Sequence, residues 1–390
     1  MSERRLTTAL PATVHLTVHS SVGAAARTAP PAAVRGSSRV TPSATERSRR
    51  RGLHPKSTYD DAVVGTGPER LSRRRSIAGR GAIGLLAVAL AAAMLACRIG
   101  PPPGAGEVAP SAFSGHYRAF PSGDSLAAYL REGSAAGVLV SANRGGPAPG
   151  YPENAIATFE HALQAGPVLV ECDVRLSRDG VPMLLHDATL DRTTTGTGRA
   201  SDSTTAALRR LSLRDPYGAV TEHHIPTLDE ALAWAKGRTV LELDVQDVPA
   251  ERVVAAVRSA GAETRVVVIV DDLDELLRYH RLAPGLVLSA SHDADGRSVV
   301  SRAEAEALLG SGVDASRLLV VAGAGAYDRD AVAYLGARGV RAIVGTLGEI
   351  DHRARAEGAT AYCPLIADGV DVIATDLVPV AVEAAATCRR

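Results

Sequence analysis

Short runs of apolar, often β-branched residues alternate with amphipathic stretches over the C-terminal two thirds of the chain. The apolar runs occupy residues 137–142, 167–174, 239–245, 265–271, 285–291, 317–323, 340–345 and 370–376. Helix-like segments, of which "TLDEALAWAKG" is typical, follow seven of the eight runs before the next one begins. Continuous apolar runs that are separated by helices predict a parallel sheet covered on both of its faces.

The number of these runs points to a closed architecture. Eight strands within about 250 residues predict a (β/α)8 barrel, the TIM-barrel architecture, over residues 115–388. A doubly wound open sheet is the alternative, but no GxGxxG sequence follows the first strand. In a (β/α)8 barrel, functional residues lie at the face where the strands end.

One segment departs from the alternation because it folds back on itself. The stretch "ECDVRLSRDGVPMLLHD" has an Asp-Gly pair at 179–180 between alternating apolar residues, which predicts a β-hairpin directly after the second strand. A two-residue loop would pair Arg178 with Val181, and the same count places Asp173 opposite His186. The hairpin is therefore expected to return a histidine toward the acidic end of the second strand.

The N-terminal part of the chain has a different character. Residues 1–72 are rich in Ser, Thr, Pro, Ala and Arg without a sustained apolar period, which predicts a disordered leader. Within residues 73–97, arginines precede an apolar run that is shorter than the about 20 residues of a membrane-spanning helix. This arrangement is typical of an export signal. Residues 98–114, with their prolines and glycines, are expected to form a linker.

The end of the apolar run indicates how the protein is attached after export. It reads "MLAC", so that Cys97 resembles the lipidated cysteine of a bacterial lipobox. A cleaved signal peptide or a single membrane anchor is the alternative. We therefore expect an exported protein, either a membrane-anchored lipoprotein or a secreted one. The long leader ahead of the signal raises the hypothesis that translation starts further along, at Val63 or Val64.

Charge and cysteine content narrow the possible functions. The chain has 43 basic and 43 acidic Lys, Arg, Asp and Glu residues, and this balance argues against a nucleic-acid partner. The four cysteines, Cys97, Cys172, Cys363 and Cys388, lack the spacing of a zinc site. Cys363 and Cys388 could pair in an oxidising compartment, although spacing alone favours two unpaired thiols.

Polar and charged residues collect where the first three predicted strands end. They are Asn143 and Arg144 after strand 1, Glu171 and Asp173 on strand 2, His186 on the hairpin, and Glu242 and Asp244 on strand 3. Four carboxylates around one barrel mouth repel each other unless a cation neutralises them. Structural salt bridges are the alternative, but these strand ends offer only Arg144 and Arg175 as partner cations.

The types of these side chains indicate their chemistry. Hard oxygen ligands favour Mg²⁺ or Ca²⁺ over zinc. An arginine beside such a cation can bind anionic oxygens, and a histidine can move a proton. The constellation is therefore typical of a site for a phosphate ester.

The ordered motifs resemble those of the glycerophosphodiester phosphodiesterase family. They read "NRGG", "YPENAIATFEHAL", "ECDVRLSRDGVPMLLHDATLDRTTTGTG" and "IPTLDEALAWAKGRTVLELD" within residues 137–247, with a looser match that ends in "GVDVIATDLV". The resemblance implies hydrolysis of a small-molecule or lipid-derived phosphodiester. The signal-like N-terminal segment leads us to expect this activity outside the cytoplasmic membrane, with membrane attachment through the N-terminus. It also implies a divalent metal held by Glu171, Asp173 and Glu242. Asp244 stands where the commonest family pattern has lysine, and the choice between Glu242 and Asp244 as ligand stays open.

The resemblance also assigns roles around the metal. His186 is implied as the general acid toward the leaving alkoxide, Arg144 as the clamp on the phosphate, and Glu153 as the residue that orients Arg144. Asn143 stands where the family has its first catalytic histidine. An amide cannot accept a proton near neutral pH, although it can hydrogen-bond a phosphate.

Three interpretations of Asn143 follow. The enzyme is slow, or relies on water activated at the metal. Alternatively, His292, which follows the fifth strand in "SASHDADG", replaces the missing histidine. In the third interpretation the protein binds a phosphodiester or a polyol phosphate without cleaving it.

Overall fold

The computed structural model describes residues 116–132, 137–291 and 299–388. The predicted leader 1–72, the signal with Cys97, the linker 98–114 and His292 lie outside these described residues. Among the helices that are described, none combines the length and the apolar character that crossing a membrane would require.

Eight parallel strands close into a barrel, as predicted. In chain order all strands are β1 (Leu139–Ala142), β2 (Leu169–Leu176), β3 (Pro182–Leu184), β4 (Ser212–Arg214), β5 (Val220–His224), β6 (Leu241–Val245), β7 (Val266–Val270), β8 (Val287–Ala290), β9 (Leu318–Ala324), β10 (Arg341–Gly345) and β11 (Val372–Thr375). The barrel order is β1-β2-β6-β7-β8-β9-β10-β11, and β11 returns to pair with β1. Each predicted apolar run overlaps one of these barrel strands, and the predicted (β/α)8 fold is confirmed.

Helices surround the barrel walls and close one of its ends. They are α1 (Gly123–Glu132), α2 (Ile156–Ala162), α3 (Thr205–Leu208), α4 (Leu228–Ala235), α5 (Ala250–Ser259), α6 (Leu273–Leu282), α7 (Arg302–Leu309), α8 (Arg329–Gly336), α9 (Glu349–Glu357), α10 (Cys363–Ala367) and α11 (Val378–Thr387). Helix α4 shows how the sequence specifies them. Thr227 and Glu230 form a capping box at its start, and its buried residues Leu228, Ala231, Leu232 and Ala235 recur at the spacing of one helix face.

Alternate strand residues pack on opposite sides of the barrel wall. Leu169 belongs to the inner apolar cluster, whereas Val170 belongs to the outer cluster between strands and helices. Helix α1 closes the end at which the strands begin, because Leu126 and Leu130 join the inner cluster with Leu139 and its equivalents on the other strands. This helix is not among the elements predicted from the sequence. The opposite end, where the strands finish, carries the polar residues.

The hairpin after β2 is present, but its predicted register was wrong by one residue. Strands β2 and β3 pair with Val174 opposite Leu184, and the Leu185 amide donates to the Asp173 carbonyl at 3.0 Å. Asp173 therefore lies opposite Leu185 rather than His186.

The cause of the shift is a longer loop. The Ser177 amide donates to the Val181 carbonyl at 3.0 Å, so the loop has the three residues 178–180 instead of two. Gly180 takes φ 77° at the last position of this loop, a left-handed conformation that glycine adopts without steric conflict.

A second hairpin was not predicted. Strands β4 and β5 form a separate two-stranded sheet in the connection between β3 and α4. His223 and His224 are the last two residues of β5.

Cys363 and Cys388 form a disulfide that joins the start of α10 to the residue at the end of α11. The interpretation favoured by spacing, two unpaired thiols, is therefore wrong. The bond closes a loop between residues 25 positions apart, which restricts the unfolded chain.

Replacing Cys388 with serine is expected to lower the free energy of unfolding by about 3 kcal/mol, the loss of loop restriction for a ring of this size. Denaturant midpoints under non-reducing conditions measure the change. With a reductant present, the variant and the wild-type protein should share one midpoint. Equal midpoints without reductant would contradict the expectation.

Candidate active site

The acidic residues of β2 and β6 are in register. Glu171 pairs with Glu242, and Asp173 pairs with Asp244, between these neighbouring parallel strands. Carboxylate oxygens of Glu171, Asp173 and Asp244 lie within 4.8 Å of one another. We call these three residues the acidic triad. Its side chains come together because residues two apart on a strand share a face.

The electrostatics of the acidic triad suit a cation. Burial, followed by the charges of Asp173 and Asp244, raises the pKa of Glu171 well above its ordinary value. Burial also raises the pKa of Asp173, although His186, Arg144 and a hydrogen bond from Asn154 oppose the rise. Three oxygen donors this close together can hold a metal ion, and hard oxygen ligands are those that Mg²⁺ and Ca²⁺ prefer.

Glu242 makes a different contact inside the barrel. Its side chain accepts a hydrogen bond from the Ser141 hydroxyl on β1, and its Oε1 is buried without a partner among the described residues. Burial raises the pKa of Glu242 to about 7. The structure therefore groups Asp244, and not Glu242, with Glu171 and Asp173.

The raised pKa of Glu242 predicts a pH-dependent stability. The folded state keeps the Glu242 carboxyl protonated up to about pH 7, whereas the unfolded state keeps it protonated only up to about pH 4.5. The protonated carboxyl therefore contributes to the free energy of unfolding below pH 4.5, and this contribution is lost as the pH rises through 7. The loss amounts to about 3 kcal/mol. Glu242→Gln should remove this part of the pH dependence. Denaturation in chelator at pH values across this window measures it, and identical slopes for both proteins would count against it.

Arg144 lies in a 3₁₀ turn, Asn143–Gly145, directly after β1. Its φ of 48° is in the left-handed region, which non-glycine residues rarely adopt and which is common at functional sites. Its amide donates to Glu171 Oε2 at 2.6 Å, and its Nε lies 3.8 Å from Asp173 Oδ2. A Cβ on Gly145 would approach Phe159 to 2.4 Å, so glycine is required there. The turn thus fixes a guanidinium beside the acidic triad.

Asn154 holds Asp173 in place, although it was not among the predicted site residues. Its Nδ2 donates to Asp173 Oδ2 at 2.7 Å, and its Oδ1 accepts from the Asp173 amide at 2.9 Å. The Asn154 amide also donates to the Arg144 carbonyl at 2.9 Å. The signal for this role was its place beside Glu153 in "PEN".

His186 follows β3 and is oriented by its neighbour. Its Nδ1 lies 2.7 Å from Asp187 Oδ1, and its carbonyl accepts from Arg175 Nε at 2.5 Å. Although burial acts to raise it, hydrogen bonds from His186 and Arg192 hold the pKa of Asp187 far below its usual value. With Nδ1 donating to this carboxylate, Nε2 is the nitrogen that can exchange a proton with a substrate.

Glu153 contacts two arginines. Arg192 binds it through two hydrogen bonds of 2.7 and 2.9 Å, whereas the nearest nitrogen of Arg144 lies 3.4 Å away. Arg192 also donates to Asp187 at 2.8 Å. A continuous chain of charge contacts therefore links Arg144 to His186 through Glu153, Arg192 and Asp187.

Asn143 contacts a residue that the sequence did not single out. Its Nδ2 donates to Asp376 Oδ1 at 2.9 Å. Asp376 directly follows β11, whose last residue Thr375 pairs with Ala142. Burial raises the pKa of Asp376 to about 6, although the hydrogen bond from Asn143 lowers it. The only sequence signal was its position at the end of the eighth apolar run.

Comparison with known proteins supports the resemblance seen in the motifs. The sequence profile described as "Glycerophosphoryl diester phosphodiesterase family" matches residues 144–349. A glycerophosphodiester phosphodiesterase of Bacillus altitudinis is 33% identical over 151 residues, which are 36% of this chain and 60% of that protein. Human glycerophosphodiester phosphodiesterase 1 is 42% identical over 98 residues, 24% of this chain and 28% of that protein. These matches span less than two thirds of either curated relative.

A solved structure extends the match over nearly a whole chain. The crystal structure of a glycerophosphoryl diester phosphodiesterase from Parabacteroides distasonis is 31% identical, with a TM-score of 0.61, and the match covers 69% of this chain and 93% of that one. The family profile covers more than half of this chain. The resemblance is therefore confirmed, and the chain belongs to the glycerophosphoryl diester phosphodiesterase family.

Proposed function

We propose that the protein hydrolyses small glycerophosphodiesters to an alcohol and glycerol phosphate, with a divalent cation as cofactor. The observation that carries this proposal is the acidic triad, with oxygens within 4.8 Å of one another, next to Arg144 and His186. Membership of the family and the names of the relatives above support the same reaction.

The side chains divide the work as follows. Glu171, Asp173 and Asp244 would hold Mg²⁺ or Ca²⁺, which when bound supplies positive charge to the phosphate oxygens. Arg144 binds an anionic oxygen of the phosphate and is kept in place by Glu171 and Glu153.

His186 acts on the leaving group. It donates the proton of Nε2 to the leaving alkoxide, while Asp187 fixes its ring through Nδ1. Since the alkoxide of an alcohol is a poor leaving group, this proton transfer accelerates the cleavage.

One observation favours a second function. Asn143, in the place of the family's first histidine, offers the substrate an amide, and its Nδ2 is bound to Asp376. A protein that binds phosphodiesters or polyol phosphates, with weakened catalysis, would have such a site.

Hydrolysis of glycerophosphocholine, glycerophosphoethanolamine and glycerophosphoinositol by the purified protein, in Mg²⁺, Ca²⁺ or chelator, separates the two functions. Metal-dependent release of the alcohol is the expected result. Binding of these compounds without turnover in either metal would overturn the hydrolase and favour the binding protein.

We also propose that the protein works outside the cytoplasmic membrane, either anchored through Cys97 or secreted. The signal-like residues 73–97 and the disulfide between Cys363 and Cys388 support this location. Fractionation of cells and the intact mass of the native protein test it. Peptides from residues 1–60 in the native protein would contradict removal of the leader.

A further inference from the structure

The barrel order places a titratable side chain directly beside Asn143. Strand β1 lies between β11 and β2, and β3 lies on the same edge of β2 as β1, because β6 occupies the other edge. Asp376 directly follows β11, and His186 lies in the segment after β3. Since neighbouring strands lie about 4.8 Å apart, β11 and β2 are separated by about 10 Å at the rim.

The strand register puts Asp376 level with Asn143 and Glu171. Ala142 pairs with Thr375 on β11 and with Val170 on β2. The next residue along each strand direction is Asp376, Asn143 or Glu171, so that these three form one row across the rim. Asn143 therefore lies between Asp376 and Glu171 of the acidic triad along this row.

Asp376 has a free face for a substrate. Its Oδ1 accepts from Asn143, and no hydrogen bond reaches its Oδ2 from any residue that the structure describes. The side chain is half-buried, so a small hydroxyl group can approach it.

The backbone under Asp376 is firmly held. Asp351 of α9 is buried and accepts from the hydroxyls of Thr346, Tyr362 and Thr375 at 2.7 to 2.8 Å. The Asp376 amide also points to Asp351, at 3.4 Å. A fully hydrogen-bonded buried carboxylate rigidifies its surroundings, and the side chain of Asp376 therefore starts from a fixed position.

The surroundings of Asp376 make it a base near neutral pH. Burial and the charges of Asp351 and Glu153 raise its pKa, whereas Asn143 and Arg144 lower it, and the result is about 6. A carboxylate with this pKa is largely ionised at pH 7 and still accepts a proton more readily than an exposed aspartate.

We infer that Asp376 is the general base of this chain, the residue that takes the proton which Asn143 cannot accept. The inference rests on the proposed hydrolysis. The oxygen of a water molecule bonds to phosphorus, and the water gives a proton to Asp376 Oδ2. The bond from phosphorus to the alcohol oxygen breaks, and His186 gives its proton to that oxygen. An in-line displacement at phosphorus uses a base for the attacking oxygen and an acid for the leaving oxygen.

Asp376→Asn is expected to lower kcat about 10²- to 10⁴-fold, the range for loss of one proton-transferring group. KM and the affinity for glycerol 3-phosphate should stay unchanged. The decline of the wild-type rate below about pH 6 should disappear from the residual activity. Asp271→Asn is the matched control, because Asp271 directly follows β7, is exposed and should leave kcat unaltered.

A second variant keeps the test decisive. Adding Asn143→His to Asp376→Asn supplies an imidazole as an alternative base, and kcat should recover by at least about tenfold. An active wild-type protein with unchanged kcat in Asp376→Asn overturns this inference alone. Parallel losses of kcat, product affinity and melting temperature would make Asp376 structural and also overturn it. A wild-type protein without turnover overturns the proposed function together with the inference.

Discussion

Replacing Asp244 with asparagine is expected to lower kcat/KM for glycerophosphodiesters at least about 10³-fold. A neutral amide weakens the hold on a divalent cation, and the cation accounts for several kcal/mol of charge stabilisation in reactions of this kind. Titrations with Mg²⁺ and Ca²⁺ measure the effect, with the rate of turnover as one readout and the metal affinity from calorimetry as the other. Excess metal should restore part of the lost rate.

Glu242→Gln is the matched comparison, because Glu242 lies two residues before Asp244 on β6 and on the same face of the strand. Its loss of metal affinity should be much smaller, because its side chain is bound to Ser141 and stands apart from the acidic triad. The reverse order of the two variants would show that the metal is held by Glu242, as the family resemblance implied, and would refute the assignment from geometry.

His186→Asn is expected to lower kcat about 10²- to 10⁴-fold on substrates with an alkyl leaving group. The loss should be far smaller on an aryl phosphodiester, because a phenolate departs without receiving a proton. Steady-state kinetics on both substrates measure the difference. Equal losses on the two substrates would assign His186 to binding instead of proton donation.

Asp187→Asn separates orientation from proton transfer. The Asp187 carboxylate contacts His186 Nδ1 at 2.7 Å, so that it orients the imidazole without itself giving a proton to the leaving group. We expect a smaller loss of kcat than in His186→Asn, and steady-state kinetics on the same alkyl substrate measure it.

Local sequence pattern was sufficient to predict the barrel. Each buried parallel strand requires a continuous apolar run, and each helix requires an apolar face, so both leave a strong local signal. The acidic residues were predictable because they interrupt the apolar runs of two neighbouring strands at positions two apart, which share a face of the strand. Family motifs then assigned His186 and Arg144.

Other features depended on contacts that local pattern does not encode. The hairpin register turned on whether the loop before Val181 has two or three residues, and an Asp-Gly pair suits both lengths. The choice between Glu242 and Asp244 depended on the direction of side chains that share one strand face. Asp376 reached Asn143 only because β11, the last strand, closes the barrel against β1.

The disulfide was likewise not encoded locally. Cys363 and Cys388 are 25 positions apart, and nothing in that interval reveals that α11 folds back beside the start of α10. Helix α1 carried a sequence signal that is common to many surface helices, and only the closed barrel shows that it covers one end.

Helix α1 has a consequence for how the protein could be engineered. Its leucines seal the barrel at the end opposite the acidic triad, so the apolar packing that resists unfolding is spatially separate from the mutually repelling carboxylates. Substitutions that improve the packing of α1 against the barrel should raise the stability of the protein to unfolding without altering its kinetics. Changes that neutralise the mouth should also make the metal-free protein more durable, but at the expense of its chemistry.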